Sequence, residues 1–339
     1  MIHVSCDRPR AGSTRERVSD NGWSFRLDFS WAKWPEAMKG VHTLNACFDS
    51  EGHLYVATED PENPICVFDW EGSFLKSFGK GVFTKAHSVF LTPSGTVLTA
   101  DTGKNAHVIR EITKDGALVH TFGTPGVPGD SGYDPDYLEV MQREGRTPTI
   151  SPYNKNEAAN ARLDSIVRRG EPFCKPCSMV MDGEGNYYAA DGYGNCAVHV
   201  FGPDRALRYS FGEPGSAPGA FRLVHDVRLD CRGRLWVSDR ENCRVQVFSK
   251  TGELLALIDG NLMRIGACWV DDRYAYIGEL DGGVTILDLD FNLLSQLGSR
   301  GSVIHAHGIT ADRDGNLYVL TNKKNENNIL RLVKESGGD

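Results

Sequence analysis

The sequence predicts an all-β fold, a six-bladed β-propeller, on three observations. Hydrophobic runs of strand length recur in pairs around tight turns. The pairs alternate between two patterns along the chain. One copy of each pattern fills roughly 40 residues, the span of a four-stranded blade.

The first pattern is "ACFDSEGHLYVAT", "SVFLTPSGTVLTAD", "SMVMDGEGNYYAAD", "DVRLDCRGRLWVSD" and "GITADRDGNLYVLT", with a worn copy in "ACWVDDRYAYIGE". The second is "ICVFDWEGSFLKSFG", "VIREITKDGALVHTFG", "AVHVFGPDRALRYSFG", "VQVFSKTGELLALIDG" and "VTILDLDFNLLSQLG". Aliphatic and aromatic residues flank Gly, Asp and Asn, as tight hairpins require.

Aligned on its turn, the first pattern opens at Leu44, His87, Cys177, His225, Gly266 and His307. The interval from His87 to Cys177 is about twice the others and has room for a further blade. Residues 125–172 lack the strand–turn–strand signature. Instead, "DPDYLEVMQREG" offers Asp134 as N-cap, Pro135 in the first turn and Gly145 as stop. "NEAANARLDSIVRRG" sets Ala159, Leu163, Ile166 and Val167 on one helical face, with Gly170 as stop. The expectation is a largely helical insertion between blades two and three, and six blades in all.

Blade six has only "NILRLVK" after its first hairpin. The alternating "GWSFRLDF" ahead of blade one is expected to supply the missing outer strand and close the ring. Residues 1–22 read as an N-terminal tail, and 1–339 as a single propeller domain.

Composition narrows the function classes. The net charge is −8, from 37 basic and 45 acidic residues, and no basic run is visible, so no nucleic-acid partner is expected. No stretch is apolar enough for a leader or a membrane span, so no membrane partner is expected. The nine cysteines then read as free thiols in a cytoplasmic setting. "FCKPC" is a lone CxxC, read as two buried or loop thiols.

The opening position of the first pattern carries the chemistry. In a propeller it lies where the inner strand meets the mouth of the central channel. His87, His225 and His307 hold it in blades two, four and six. Alternate blades of a six-fold ring are about 120° apart, so the three imidazoles can converge on the axis. Three imidazoles with an open fourth position is the pattern of a catalytic zinc site. Iron, cobalt or nickel would take the same ligands, whereas calcium and magnesium prefer oxygen. His107, which opens a third strand, could stand behind the site, although a structural role is the commoner use.

The loops after the second strands share the mouth. "DTGKN", "DGYGN" and "DREN" each begin with an aspartate, Asp101, Asp191 and Asp239, read as a carboxylate pinning a tight turn. Tyr193 and Arg240 inside these loops are the candidate catalytic residues. A tyrosine near a divalent metal can act as a base. An arginine can hold a carboxylate or a developing oxyanion.

The "DxxGxLYVxD" blades resemble NHL repeats. "ADGYGN", "FGEPGSAPGAFRLVHDVRLD", "SDRENCRVQVF" and "HGITADRDGNLYV" resemble the peptidyl-α-hydroxyglycine α-amidating lyase family over roughly residues 24–333. The resemblance implies a six-bladed propeller with a central zinc on His87, His225 and His307, a catalytic tyrosine at Tyr193 and an arginine at Arg240. It implies cleavage of a carbinolamide C–N bond. The chain departs from the family at four places. The blade-one arginine has no counterpart, and Glu59 stands nearby. His305 replaces a methionine, and Ala197 replaces an arginine. Gly308 stands where an aspartate tied to a structural calcium is often found, which weighs against calcium.

The expected function is a zinc-dependent carbon–nitrogen lyase acting on a small carbinolamide or hemiaminal, with a substrate different from the family's. Cys177, His305 and Glu59 are expected to contact that substrate, and the insertion could act as a lid over it. The alternatives are a metal-dependent hydrolase or hydratase in the same channel, and a non-enzymatic NHL binding platform.

Overall fold

A computed structural model describes residues 1–321 and 328–335. Its hairpins follow from one local device. The Asp182 carboxylate accepts the backbone N–H groups of Glu184 (3.0 Å) and Asn186 (2.9 Å), and Gly185 turns the chain at φ +86°. The same carboxylate accepts from the Tyr188 hydroxyl at 3.1 Å. Asp230 and Asp312 repeat the arrangement, taking Trp236 Nε1 and the Tyr318 hydroxyl at 3.0 Å each. The repeat's aromatic is therefore buried with its polar atom satisfied by its own turn.

Six sheets result among the described residues, each antiparallel within its blade. Blade one runs Thr43–Phe48, Leu54–Thr58, Ile65–Phe68 and Phe74–Phe78. Blade two runs Phe90–Leu91, Val97–Asp101, Val108–Ile112 and Leu118–Phe122. Blade three runs Pro176–Met181, Tyr187–Asp191, Ala197–Phe201 and Leu207–Phe211. Blade four runs Val224–Leu229, Leu235–Asp239, Arg244–Phe248 and Leu254–Asp259. Blade five runs Ile265–Val270, Tyr274–Glu279, Gly283–Asp288 and Leu293–Leu297. Blade six holds Gly308–Ala311, Leu317–Leu320 and Ile329–Lys334.

Inner strands of successive blades pack side by side, and that of blade six packs on that of blade one. The hydrophobic core lies between blades: Val180, Tyr188 and Val198 of blade three meet Val227, Leu235 and Phe248 of blade four in one cluster.

The N-terminal residues add strands to this frame. Trp23–Asp28 pairs antiparallel with Ile329–Lys334, Leu27 opposite Leu332. Arg17–Asp20 extends the same sheet. Residues 1–22 are not a loose tail. Ile2–Ser5 pairs parallel with the outer strand of blade four, and Arg10 reaches a buried ion pair with Glu279 at 2.7 Å. Four mostly exposed residues carry no alternation that would reveal such a strand.

The insertion is less helical than its sequence pattern predicts. It contains two helices, Tyr137–Arg143 of seven residues and Glu157–Asp164 of eight, joined by irregular chain. The first starts after Asp136, because Asp134 spends its carboxylate on the Asp136 N–H (2.8 Å). Gly145 does end it, at φ +67°, with the Arg146 N–H reaching back to Met141 O (2.8 Å). The second ends well before Gly170. The chain leaves it so that the Val167 N–H can bond Ser131 O at 3.0 Å, which turns Val167 outward. Gly170 is instead strapped to Asn195, donating to its Oδ1 (3.1 Å) and accepting from its Nδ2 (2.8 Å).

Candidate functional site

The inner strands deliver three buried imidazoles to the channel. One ring nitrogen from each of His87, His225 and His307 lies within 4.8 Å of the others. Their ring centroids are 4.8–5.1 Å apart. Each ring is oriented by a backbone carbonyl from the next blade. His87 Nδ1 meets Cys177 O at 2.8 Å, His225 Nδ1 meets Gly266 O, and His307 Nδ1 meets Leu44 O at 2.8 Å. A carbonyl only accepts, so each Nδ1 carries the proton and each Nε2 presents a lone pair. Burial is the main reason that all three stay neutral: it pushes His87 and His225 well below the usual range and His307 down to about 4.

Tyr193 enters from the "DGYGN" loop. Asp191 pins that loop by accepting from the Cys174 N–H and from Asn195 Nδ2, both at 2.8 Å. The Tyr193 hydroxyl lies 3.0 Å from both His87 Nε2 and His225 Nε2. Arg240 Nη1 donates to it at 3.3 Å, with the guanidinium 5.2 Å from the ring centroid. Burial raises the tyrosine to about 12, against the pull of Arg240. Arg240 sits in a turn whose Asp239 takes the Arg222 N–H (3.0 Å) and Arg244 Nε (2.7 Å). Glu241 accepts from Arg240 Nε at 3.0 Å.

These residues fit a metal. Three Nε2 lone pairs converge, and the Tyr193 hydroxyl has one proton to offer two of them. A bound cation would satisfy the surplus acceptors, and backbone carbonyls already fix the tautomers, as metal-ligating histidines require.

The remaining expected contacts are placed differently. Cys177 is fully buried with its thiol pushed up to about 12 by burial, and it serves the site through its carbonyl. Burial also raises the Cys174 thiol to about 12, which leaves both thiols of the CxxC protonated. His305 turns to Leu280 O at 3.3 Å. Glu59 is occupied by Lys85 (2.8 Å) and His42 (3.1 Å). His107 is buried beside a neighbouring cavity with Lys104 and Pro128.

A cavity of about 260 Å³ opens over Tyr193 and Arg240. The insertion walls it with Tyr133, Arg162 and Leu163, together with Lys85, Lys175 and Leu223. This wall is held in place. Arg222 Nη1 donates to Asp164 at 2.9 Å, and the Ser131 hydroxyl donates to Gly194 O beside Tyr193. The residues missed by sequence reasoning are Lys85 and Lys175, each two positions before an opening residue of the repeat. The same alignment places His42, Leu223, Arg264 and His305 at that position in the other blades.

Fold and site define a β-propeller with three axial histidines and a tyrosine–arginine pair. Residues 221–248 match the NHL repeat. The chain is 28% identical to NHL repeat-containing protein 3 of Homo sapiens over 270 residues, 76% of this chain and 67% of that protein. It is 37% identical to peptidyl-glycine alpha-amidating monooxygenase A of Xenopus laevis over 217 residues, 59% of this chain and 22% of that protein. Among solved structures, a streptogramin B lyase superposes with a TM-score of 0.61 at 14% identity, covering 94% of this chain and 100% of that one. That likeness supports the propeller fold. Among the described residues, no helix is long and apolar enough to cross a membrane.

Proposed function

We propose that the protein is a metal-dependent lyase that cleaves the C–N bond of a small carbinolamide or hemiaminal. The observation that carries the reading is the convergence of three neutral, tautomer-fixed imidazoles beside the Tyr193 hydroxyl and Arg240. His87, His225 and His307 would hold zinc; iron, cobalt or nickel suit the same nitrogen set. The bound metal would supply Lewis acidity toward a substrate hydroxyl. Burial by itself raises Tyr193, and the bound cation together with Arg240 would favour its phenolate, whose Oη would then take the proton of that hydroxyl. As the C–N bond breaks, the carbon keeps the oxygen as a carbonyl, and Tyr193 returns the proton to the leaving nitrogen. Similarity to a probable peptidyl-alpha-hydroxyglycine alpha-amidating lyase of Caenorhabditis elegans, 24% identical over 194 residues, supports the reaction class. A structural calcium forms no part of this reading.

The insertion acts as a fixed wall of the site, and the Trp23–Asp28 strand closes a single ring over 1–339. The partner is a small molecule, with no role for nucleic acid or membrane, in the cytoplasm. Elemental analysis of wild type against His225→Ala, followed by glyoxylate release from α-hydroxyhippurate, tests the reading. One metal per chain in wild type, lost with His225, is expected. Full metal in the variant would overturn it. Tyr193→Phe is expected to keep the metal and lower turnover by roughly 10²–10⁴. Oxygen required from labelled water in the product would point to a hydrolase instead.

A further inference from the structure

The cavity above the histidines carries more cations than carboxylates. Lys85, Arg162, Lys175 and Arg240 line it, and Glu241 is the lining carboxylate among the described residues. Glu241 is shared by Arg240 and Arg264 (3.0 and 3.5 Å), and Lys85 is paired with Glu59. Arg162 and Lys175 pair with no carboxylate among the described residues. Both are held toward the cavity all the same. Arg162 Nε donates to Ala158 O at 3.1 Å, which steadies it on its helix. The Lys175 backbone sits at φ +64°, a left-handed conformation that is unfavourable for a non-glycine residue. Its ammonium lies 5.6 Å from the Tyr133 ring centroid. Burial, then the nearby Arg162 and Lys85 charges, pushes this ammonium below its ordinary range. Like charges are thus gathered at one wall, under strain and partly out of water, with no internal counter-ion.

The repeat places this charge deliberately. Two positions before each blade opening stand His42, Lys85, Lys175, Leu223, Arg264 and His305. Three of the six, Lys85, Lys175 and Arg264, are cationic, in a chain of net charge −8. The insertion then adds Arg162 beside Lys175.

Resting on the lyase reading, we propose that Arg162 and Lys175 form an anion subsite that grips a carboxylate on the part of the substrate away from the reacting carbon. The substrate is then an acid rather than a neutral amide. A planar guanidinium and a point-charge ammonium complement a carboxylate. Tyr133, Leu163 and Leu223 offer apolar surface to the rest of the molecule. The cavity of about 260 Å³ adjoins a second of about 540 Å³ that also reaches Tyr133 and Lys175.

The test uses metal-free protein, so that neither metal nor turnover is needed. Calorimetric titrations compare acid–amide pairs whose carboxylate lies on the acyl side, succinamate with succinamide and 4-carbamoylbenzoate with terephthalamide, and inorganic phosphate as a further anion. At least one acid is expected to bind about tenfold more tightly than its amide. Arg162→Met and Lys175→Met should each weaken that acid by about tenfold and leave the amide unchanged. Lys175→Arg should retain the preference, as should Arg168→Met, which alters an exposed arginine paired with Asp130. Equal binding of acid and amide to wild type, tighter phosphate than any acid, or a preference that survives both Met variants overturns the proposal. Failure of glyoxylate release would remove the reaction and leave this acid preference standing. Loss of the preference would remove the subsite and leave the reaction.

Discussion

Blades two, four and six share a repeat with blades one, three and five, yet the two sets give the channel different things. The even blades open with His87, His225 and His307, whose rings reach the axis. The odd blades open with Leu44, Cys177 and Gly266, and each lends the axis a backbone carbonyl that binds a histidine Nδ1. Side-chain identity is therefore strict in one set. In the other, the peptide does the orienting and the side chain answers only to space. Acceptors that orient a ligating histidine commonly affect metal affinity by 10–100-fold, and here they are main-chain atoms that a substitution leaves in place wherever the new side chain fits.

The largest expected effect breaks the even set. His307→Ala should lower metal affinity by well over a hundredfold, beyond the loss typical of an orienting partner, and abolish turnover. Equilibrium dialysis with a competing chelator measures it. Retention of wild-type affinity would mean that two histidines suffice, and the alternation would lose its meaning.

Next comes the one odd position where space is absolute. A β-carbon on Gly266 would stand 2.0 Å from Ala306 O, a backbone atom that cannot swing aside. Gly266→Ala should cost about 3 kcal/mol by urea unfolding. It should also weaken metal binding, since the Gly266 carbonyl holds His225. Unchanged stability would show that the inner strands of blades five and six tolerate displacement.

Acid separates the two sets by titration. Burial depresses His307 to about 4, against 6.5 for an ordinary histidine, so between those values the unfolded chain binds the extra proton. Metal-free stability should be full above roughly pH 6.5 and fall as pH drops toward 4. His307 alone accounts for about 2 kcal/mol by pH 5. Changing Leu44 in the odd set should leave this slope untouched. A flat stability profile from pH 7 to 5 would deny that the imidazoles are buried and neutral.

How much of this is legible in the chain depends on whether a residue stands in the repeat. The turn aspartates and glycines encode the hairpins locally, so blade positions can be aligned without coordinates. That alignment sets His87, His225 and His307 at equivalent places, and closing the ring brings them together. The same alignment holds the basic position two residues earlier, visible once Lys85 and Lys175 are compared. Arg162 is not legible, because an insertion has no register against the repeat. Its helix ends are obscured for a related reason: Gly170 and Val167 answer to Asn195 and Ser131, partners distant in sequence. Cys177 shows the limit of assigning side-chain roles from position, because its carbonyl meets His87. Alignment locates a residue at the mouth, while the direction of its side chain follows from packing in three dimensions.

The smallest expected effect sharpens the comparison most. Cys177 occupies the odd-blade position nearest to His87, and its thiol is buried, protonated at any ordinary pH, and 3.9 Å from the Lys175 carbonyl. If this blade contributes only its peptide, Cys177→Ala removes one buried sulfur and nothing else. Stability should fall by about 1 kcal/mol, the cost of a small cavity, while metal stoichiometry and turnover stay at wild-type values. On the metal reading, the same swap at His87 deletes a ligand. Thermal unfolding and elemental analysis on the pair of variants give the contrast directly. Loss of metal from Cys177→Ala would place the sulfur itself in the site and end the division between side-chain blades and carbonyl blades.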